Sequence, residues 1–423
     1  MNQIIARLRD TGFFHVFGSN VINKVVAFGS GILLVRLLSK NDFGLYSYSY
    51  NIITLFLLFN GLGTLTGMLQ FGSENRNKDD HLSSAYLKYG FRIGLVFNII
   101  LMIAIVVYTI VFKLSLVGAN CVLLAMSMIP LVVFISEAQQ VYFRTNLMNK
   151  EFSYLNTVNT LLITVFSVIG AYLFQIYGVV IFRYFAYLLT IMLGIKLSKD
   201  TLNMLKDNNY CLNKKEKSQF LKFSLTATFN NAISHLLYTI DIFLIGIYIG
   251  NTDVIASYKT ATLIPFALNF IPVSVITYLY PYFCGHNTDK QWIKSNFYRM
   301  MIILGLINLI ITVILFLFAP LIIKILFGVK YLDSLIPFRI LVIGYFFAAT
   351  FRIPIGNIIV IIKKVQFNLY LSMVTGVLNI ILGIIFIRVY GSTGVALATL
   401  GVFIFTSVCS TAYLLKWLYT AEV

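Results

Sequence analysis

Charge inside apolar sequence is the feature of this chain that first calls for a chemical explanation. Asp241 lies deep in HLLYTIDIFLIGIYIG, and Lys259 follows a short turn in SYKTATLIPF. Lys24 and His235 also interrupt apolar runs, while Arg36, Arg92, Glu137, Arg183, Arg339 and Arg352 fall nearer the ends of such runs. An Asp, Lys or Arg near the centre of a bilayer costs about 2.5–3.5 kcal/mol even on a lenient insertion scale, so several of them together need one shared reason. Snorkelling of long basic side chains accounts for Arg36, Arg92, Arg183 and Arg339. Asp241 is too short to snorkel. Two readings of it stand side by side. It is either a structural ion pair with Lys259 that fastens two helices, or part of a watered cavity, where exchange between a base and a proton would couple an ion gradient to movement. His235 can exchange protons near neutrality, or it can be a hydrogen-bonded packing residue.

Amide side chains cluster with these charges. Ser19, Asn20 and Asn23 surround Lys24, and Asn230, Asn231 and Ser234 precede His235. Such residues at helical spacing mark a wet helix face or simple glue between helices. No catalytic constellation rises above this background: there is no HExxH, no GxxxxGK[ST] and no paired-Asp motif, and His numbers only 4. The expectation is a protein that is not an enzyme, holds no cofactor or metal, and has no ATPase of its own. Cys121, Cys211, Cys284 and Cys409 are scattered and suggest neither disulfides nor zinc.

The elements that must carry these residues are membrane helices. The chain has 423 residues, 59% hydrophobic and 11% charged, far from the roughly 25% charged of soluble domains. About twelve stretches reach the ~20 apolar residues that a span needs. The first is read as an uncleaved span, because the run after the basic N-terminus is long and has no small-residue cleavage site. A net charge of +17 would suggest nucleic acid in a soluble protein; here its position argues for the positive-inside rule instead. Arg7, Arg9, Arg76, Lys78, Lys88, Arg144, Lys150, the cluster at 196–222, Lys290, Lys294, Arg299, Lys363, Lys364 and Lys416 fall on one side. Only Lys40, Lys113, Lys324, Lys330 and Arg388 fall on the other, which puts both termini in the cytoplasm.

The chain is also duplicated. Residues 28–53 and 235–266 follow one plan, with Tyr46 answering Tyr258, and Tyr177-Gly178, Lys150 and Ile129-Pro130 answering Tyr390-Gly391, Lys363 and Ile336-Pro337. The fold expected is all-α: a six-helix bundle over 1–197, a cytoplasmic linker over 198–222 and a second six-helix bundle over 223–423. The repeat is parallel and the bundles flank a central cavity.

ILLVRLLSKNDFGLY (32–46) and DIFLIGIYIGNTDVIASYKTA (241–261) resemble the signatures of the Wzx-type polysaccharide, or lipid-linked oligosaccharide, flippases of the multidrug/oligosaccharidyl-lipid/polysaccharide (MOP) exporter superfamily. The resemblance implies the MOP flippase fold and alternating access in a bacterial inner membrane. It implies a substrate as well: undecaprenyl-diphosphate-linked repeat units of O-antigen or capsule. A diphosphate and a hydroxyl-rich sugar suit basic and amide groups, so Lys24, Asn23, Lys259, Asn231, Arg36 and Arg352 are the expected cavity residues and Asp241 and His235 the ion-coupling ones. Expected partners are that lipid-linked oligosaccharide, membrane lipid, a proton or sodium ion, a polysaccharide polymerase and a chain-length regulator. Two rivals remain: a multidrug or cation antiporter of the same superfamily, which would want an acidic lumen, and a membrane-embedded polysaccharide polymerase, which would carry a large external loop.

Overall fold

The computed structural model describes residues 13–76, 79–198, 211–286 and 289–419, with side chains described except at 13–17, 230, 233, 234, 237, 238 and 281. Every regular element among them is helical: α1 (Phe13–Leu37), α2 (Lys40–Leu57), α3 (Thr64–Asn75), α4 (Asp80–Val111), α5 (Ala119–Ala125), α6 (Ile129–Thr145), α7 (Asn149–Leu197), α8 (Lys214–Tyr248), α9 (Thr252–Ala267), α10 (Phe270–Gly285), α11 (Lys290–Leu317), α12 (Ala319–Leu326), α13 (Leu335–Phe347), α14 (Ile353–Ile361) and α15 (Val365–Tyr419). This follows from the apolar medium, in which backbone N–H and C=O groups have to be satisfied within the segment.

Side-chain polarity along α4 is inverted relative to a soluble helix. Val96, Ile99, Ile100, Ile103, Val107 and Ile110 are exposed, whereas Gly90, Gly94, Asn98 and Thr109 face inward. Small and hydroxyl- or amide-bearing residues at the helix contacts let backbones approach, and large aliphatic residues meet lipid.

Nine helical stretches among the described residues are long and apolar enough to cross a membrane. They differ from the expected twelve for identifiable reasons. Two of them, Asn149–Leu197 and Val365–Tyr419, are 49 and 55 residues long, and each contains a break where two spans were expected. In α7 the break is at Phe174 and Gln175 (φ 52°, ψ −136°); in α15 it is at Gly391 (φ 58°, ψ −139°). The chain reverses there, because residues eight apart along a straight helix would be about 12 Å apart. Instead a methyl group at Gly178 would collide with the Gly170 carbonyl, and one at Gly394 with the Phe386 carbonyl. In α8, Thr239–Tyr248 is the apolar stretch found among the described residues.

These breaks refine the internal repeat. Gln175 matches Gly391 (391 − 175 = 216), and Gly178 matches Gly394 at the same offset, in place of the expected Tyr177-Gly178 with Tyr390-Gly391. Leu147 (φ 54°) matches Lys363 (φ 62°), again 363 − 147 = 216, in place of Lys150. Earlier in each half the offset is smaller. The helix caps Ser39 and Asn251 and the residues Tyr46 and Tyr258 are 212 apart (251 − 39 and 258 − 46), while the fully buried Asn98 and Asn308 are 210 apart (308 − 98).

The stretch expected as linker is in part helix. Asn213 and Glu216 bond each other's backbone N–H at 2.9 and 2.7 Å, a reciprocal cap that starts α8 at Lys214. Phe220 is then fully buried among Phe71, Tyr86 and Tyr89. The chain divides into two compact units between Ala232 and Ile233, within α8. Ser224 and Thr228 lie against Gly63 and Gly67, which ties the first half of α8 to unit 1.

Gln175 carries a Cβ in a conformation that only glycine adopts cheaply, at a cost of about 1–3 kcal/mol. Gly391→Gln is therefore expected to lower, and Gln175→Gly to raise, the thermal unfolding temperature of the detergent-solubilised protein; a null result for both checks the point against strain.

Candidate functional site

In unit 2 the site forms around a buried acid. Asp241 of α8 is only 3% exposed. Its Oδ2 accepts a hydrogen bond from the Tyr258 hydroxyl of α9 at 2.6 Å and another from Thr399 Oγ1, in the second half of α15, at 2.8 Å. Asn379, from the first half of α15, lies beside the same carboxylate, with both of its buried amide atoms lacking a well-formed hydrogen bond. One carboxylate thus joins three helices, and each approach has a local reason. Tyr258 sits two turns into α9, whose start is fixed by Asn251 capping Asp253 and Val254 at 2.8 and 3.3 Å. Thr399 sits two turns beyond the Gly391 reversal on a face of small residues, Val395, Ala396 and Ala398, all fully buried. The same unit seats a second polar bridge, in which the Tyr345 hydroxyl donates to Asn308 Oδ1 at 2.8 Å and Asn308 Nδ2 donates to Thr350 Oγ1 at 3.2 Å.

In unit 1 the matching tyrosine meets the opposite charge, from a position that does not match Asp241. Tyr46, the counterpart of Tyr258, accepts a 2.7 Å hydrogen bond from Arg183 Nη1 of α7. Arg183 is the counterpart of Thr399 (399 − 183 = 216). Its guanidinium lies 4.3 Å from the Tyr50 ring centroid, Tyr50 stacks on Tyr46 at 5.8 Å, and Tyr187 bonds the same guanidinium. The counterparts of Asp241 at offsets 210–212 are Gly31, Ser30 and Gly29, none charged.

The expected ion pair between Asp241 and Lys259 is absent among the described residues. Neighbours on a helix point about 100° apart, so with Tyr258 turned toward Asp241, Lys259 is turned away; it is half-buried. Arg183 is held by tyrosines, and Arg339 Nε donates to the Phe316 carbonyl at 3.2 Å. Lys24, Arg36, Asn231 and His235 are exposed. Asn23 is half-buried, with Nδ2 donating to Ser19 Oγ at 3.5 Å, and Ser19 itself bonds Ser153 and Thr157 of α7, as helix glue does. Arg352 lies 5.2 Å from the Phe403 ring centroid. Of the expected residues, Asp241 sits in a built polar site, completed by Tyr258, Thr399 and Asn379; Tyr46 and Arg183 form a separate one in unit 1. The repetition of Tyr46 and Tyr258 was the one sequence signal pointing to them.

A family described as "Polysaccharide biosynthesis protein" matches residues 11–285, more than half of the chain. A putative O-antigen transporter of Shigella flexneri is 27% identical over 195 residues, 46% of this chain and 44% of that protein, so the chain matches less than half the length of this curated relative. Among solved structures, an inward-facing multidrug resistance MATE family transporter of the MOP superfamily has a TM-score of 0.76 at 14% identity, covering 94% of each chain. The lipid II flippase MurJ in an inward closed conformation has a TM-score of 0.69 at 17% identity, covering 96% of this chain and 87% of that one. At these identities the likeness is one of fold. This chain has the MOP transporter fold and is a multi-pass membrane protein.

The Asp241 site makes a stability prediction. Tyr258→Phe and Thr399→Val each remove a donor from a buried acceptor and are expected to cost about 1–3 kcal/mol, whereas Lys259→Gln is expected to stay within about 0.5 kcal/mol of the parent. Thermal unfolding of the purified variants checks this order, which a stabilising ion pair of Asp241 with Lys259 would reverse.

Proposed function

Since the chain belongs to the polysaccharide biosynthesis protein family, we propose that it is a flippase for undecaprenyl-diphosphate-linked oligosaccharide repeat units. It carries them from the cytoplasmic to the outer leaflet of a bacterial inner membrane by alternating access, with both termini in the cytoplasm. The family match over more than half of the chain carries this reading. The similarity to an O-antigen transporter supports the substrate class, and within the apolar runs basic residues outnumber Asp241 and Glu137, which suits an anionic headgroup better than a cationic drug.

Each unit offers basic and amide groups of its own to a diphosphate and its sugars: Lys24, Asn23, Arg36 and Asn231 on unit 1, Lys259 and Arg352 on unit 2. Arg favours bidentate phosphate contact, and Lys acts as a point charge. The coupling ion, a proton or sodium, exchanges at Asp241. Its carboxylate is the group in that site able to change charge, and the hydroxyls of Tyr258 and Thr399 can redirect their donors when it does. His235 serves as a second group for proton exchange. The finished repeat units pass to a polymerase and a chain-length regulator.

The test is leaflet transfer in proteoliposomes of an undecaprenyl-diphosphate oligosaccharide, read by its accessibility to a membrane-impermeant glycosidase. Faster transfer with the protein than without it is expected. No transfer, together with export of organic cations such as ethidium, would favour the antiporter.

A further inference from the structure

The second helix of unit 1 is broken. Between α2 and α3 the residues Gly61, Leu62 and Gly63 take φ values of 57°, 51° and 71°, a left-handed turn that costs a Cβ-bearing residue such as Leu62 about 1–2 kcal/mol. Asn60 opens that turn. Its Nδ2 donates to Glu137 Oε2 of α6 at 2.7 Å, while its Oδ1 is buried and has no partner. Phe134, one turn before Glu137, lies against Gly61 and Gly94, so α6 presents both side chains to the break. Asn60 is the only hydrogen-bond partner of Glu137 among the described residues. Tyr187 of α7 is the titratable side chain close to it, and Arg183 beyond is engaged by Tyr46 and Tyr50. From α3 and α4 no acid or base bonds to it.

A carboxylate at membrane depth with one amide donor and no base is expensive. Its partner amide has an oxygen in need of a donor. A protonated Glu137 answers both demands: the carboxyl O–H donates to Asn60 Oδ1 while Nδ2 still donates to the other carboxyl oxygen, closing a two-bond acid–amide ring. We propose that Glu137 is a second exchangeable-proton site of this protein, seated on the left-handed break of its second helix and paired with Asn60. Proton uptake from water adds one hydrogen bond at the residue where that helix bends, and proton release removes it. The proton therefore stiffens or frees the bend. The proposal rests on the reading of the chain as an ion-coupled transporter, and it adds a site in unit 1 that is independent of Asp241.

Dicyclohexylcarbodiimide, which reacts with protonated carboxyl groups in apolar surroundings, gives the test on the intact protein in detergent. Adduct formation at the Glu137 and Asp241 peptides is quantified by mass spectrometry across a pH series. Labelling of Glu137 is expected in acid buffer and is expected to fall at least about fivefold in alkaline buffer. It should persist in Asp241→Asn. Absence of labelling at every pH, as a permanently charged structural glutamate gives, would overturn the proposal; so would labelling independent of pH. Protection by sodium at constant pH would also overturn it, since the site would then take a metal cation. Labelling of Asp241 without Glu137 would sink this inference and leave the Asp241 reading standing.

Discussion

A carboxylate removed from water has to be met by donors, and in unit 2 that requirement ties the architecture together. Asp241 takes the Tyr258 hydroxyl from 17 residues away and the Thr399 hydroxyl from 158 residues away. To bring them there, α8 and α9 must form a tight hairpin capped by Asn251, and α15 must reverse at Gly391. In hydrocarbon there is little hydrophobic drive between helices, so packing of small residues and a few buried hydrogen bonds hold the bundle. Asn308, with Tyr345 and Thr350, makes a second such bridge.

The two units use one scaffold for different electrostatics. Caps, reversals and the inward asparagines Asn98 and Asn308 recur at matching positions, and so do the tyrosines Tyr46 and Tyr258. What differs is the charge the tyrosine meets: a guanidinium in unit 1 and a carboxylate in unit 2. Arg183 stays charged under all ordinary conditions, whereas a carboxylate can take up a proton or a cation. A duplicated frame thereby keeps one fixed charge in unit 1 and one changeable charge in unit 2, each beside the equivalent tyrosine.

Much of the fold is legible in the sequence, because hydropathy answers to the membrane directly. Duplication was legible from Tyr46 and Tyr258, but its register drifted, since the offset grows from 210 at Asn98 to 216 at Gln175. The breaks at Gln175 and Gly391 fall where pairs of spans are expected to part; the helical start at Lys214 lies inside the expected linker, and Asn213-x-x-Glu216 is its signal. At the site, apolar surroundings single out Asp241, which is buried, but its hydrogen-bond partners are hydroxyls and not Lys259. Lys259 was chosen for its charge, whereas helical geometry turns the adjacent Tyr258 inward instead. Thr399 and Asn379 were not legible, because a hydroxyl and an amide in a membrane helix read as glue until distant helices are placed side by side.

Ion exchange at Asp241 is most directly tested by measuring oligosaccharide flipping in proteoliposomes with and without an imposed proton or sodium gradient, for the wild-type protein and for Asp241→Asn. The account predicts that a gradient of one of these ions accelerates flipping by the wild-type protein, and that Asp241→Asn, folded and equally abundant, does not respond. An equal acceleration in both proteins would contradict it.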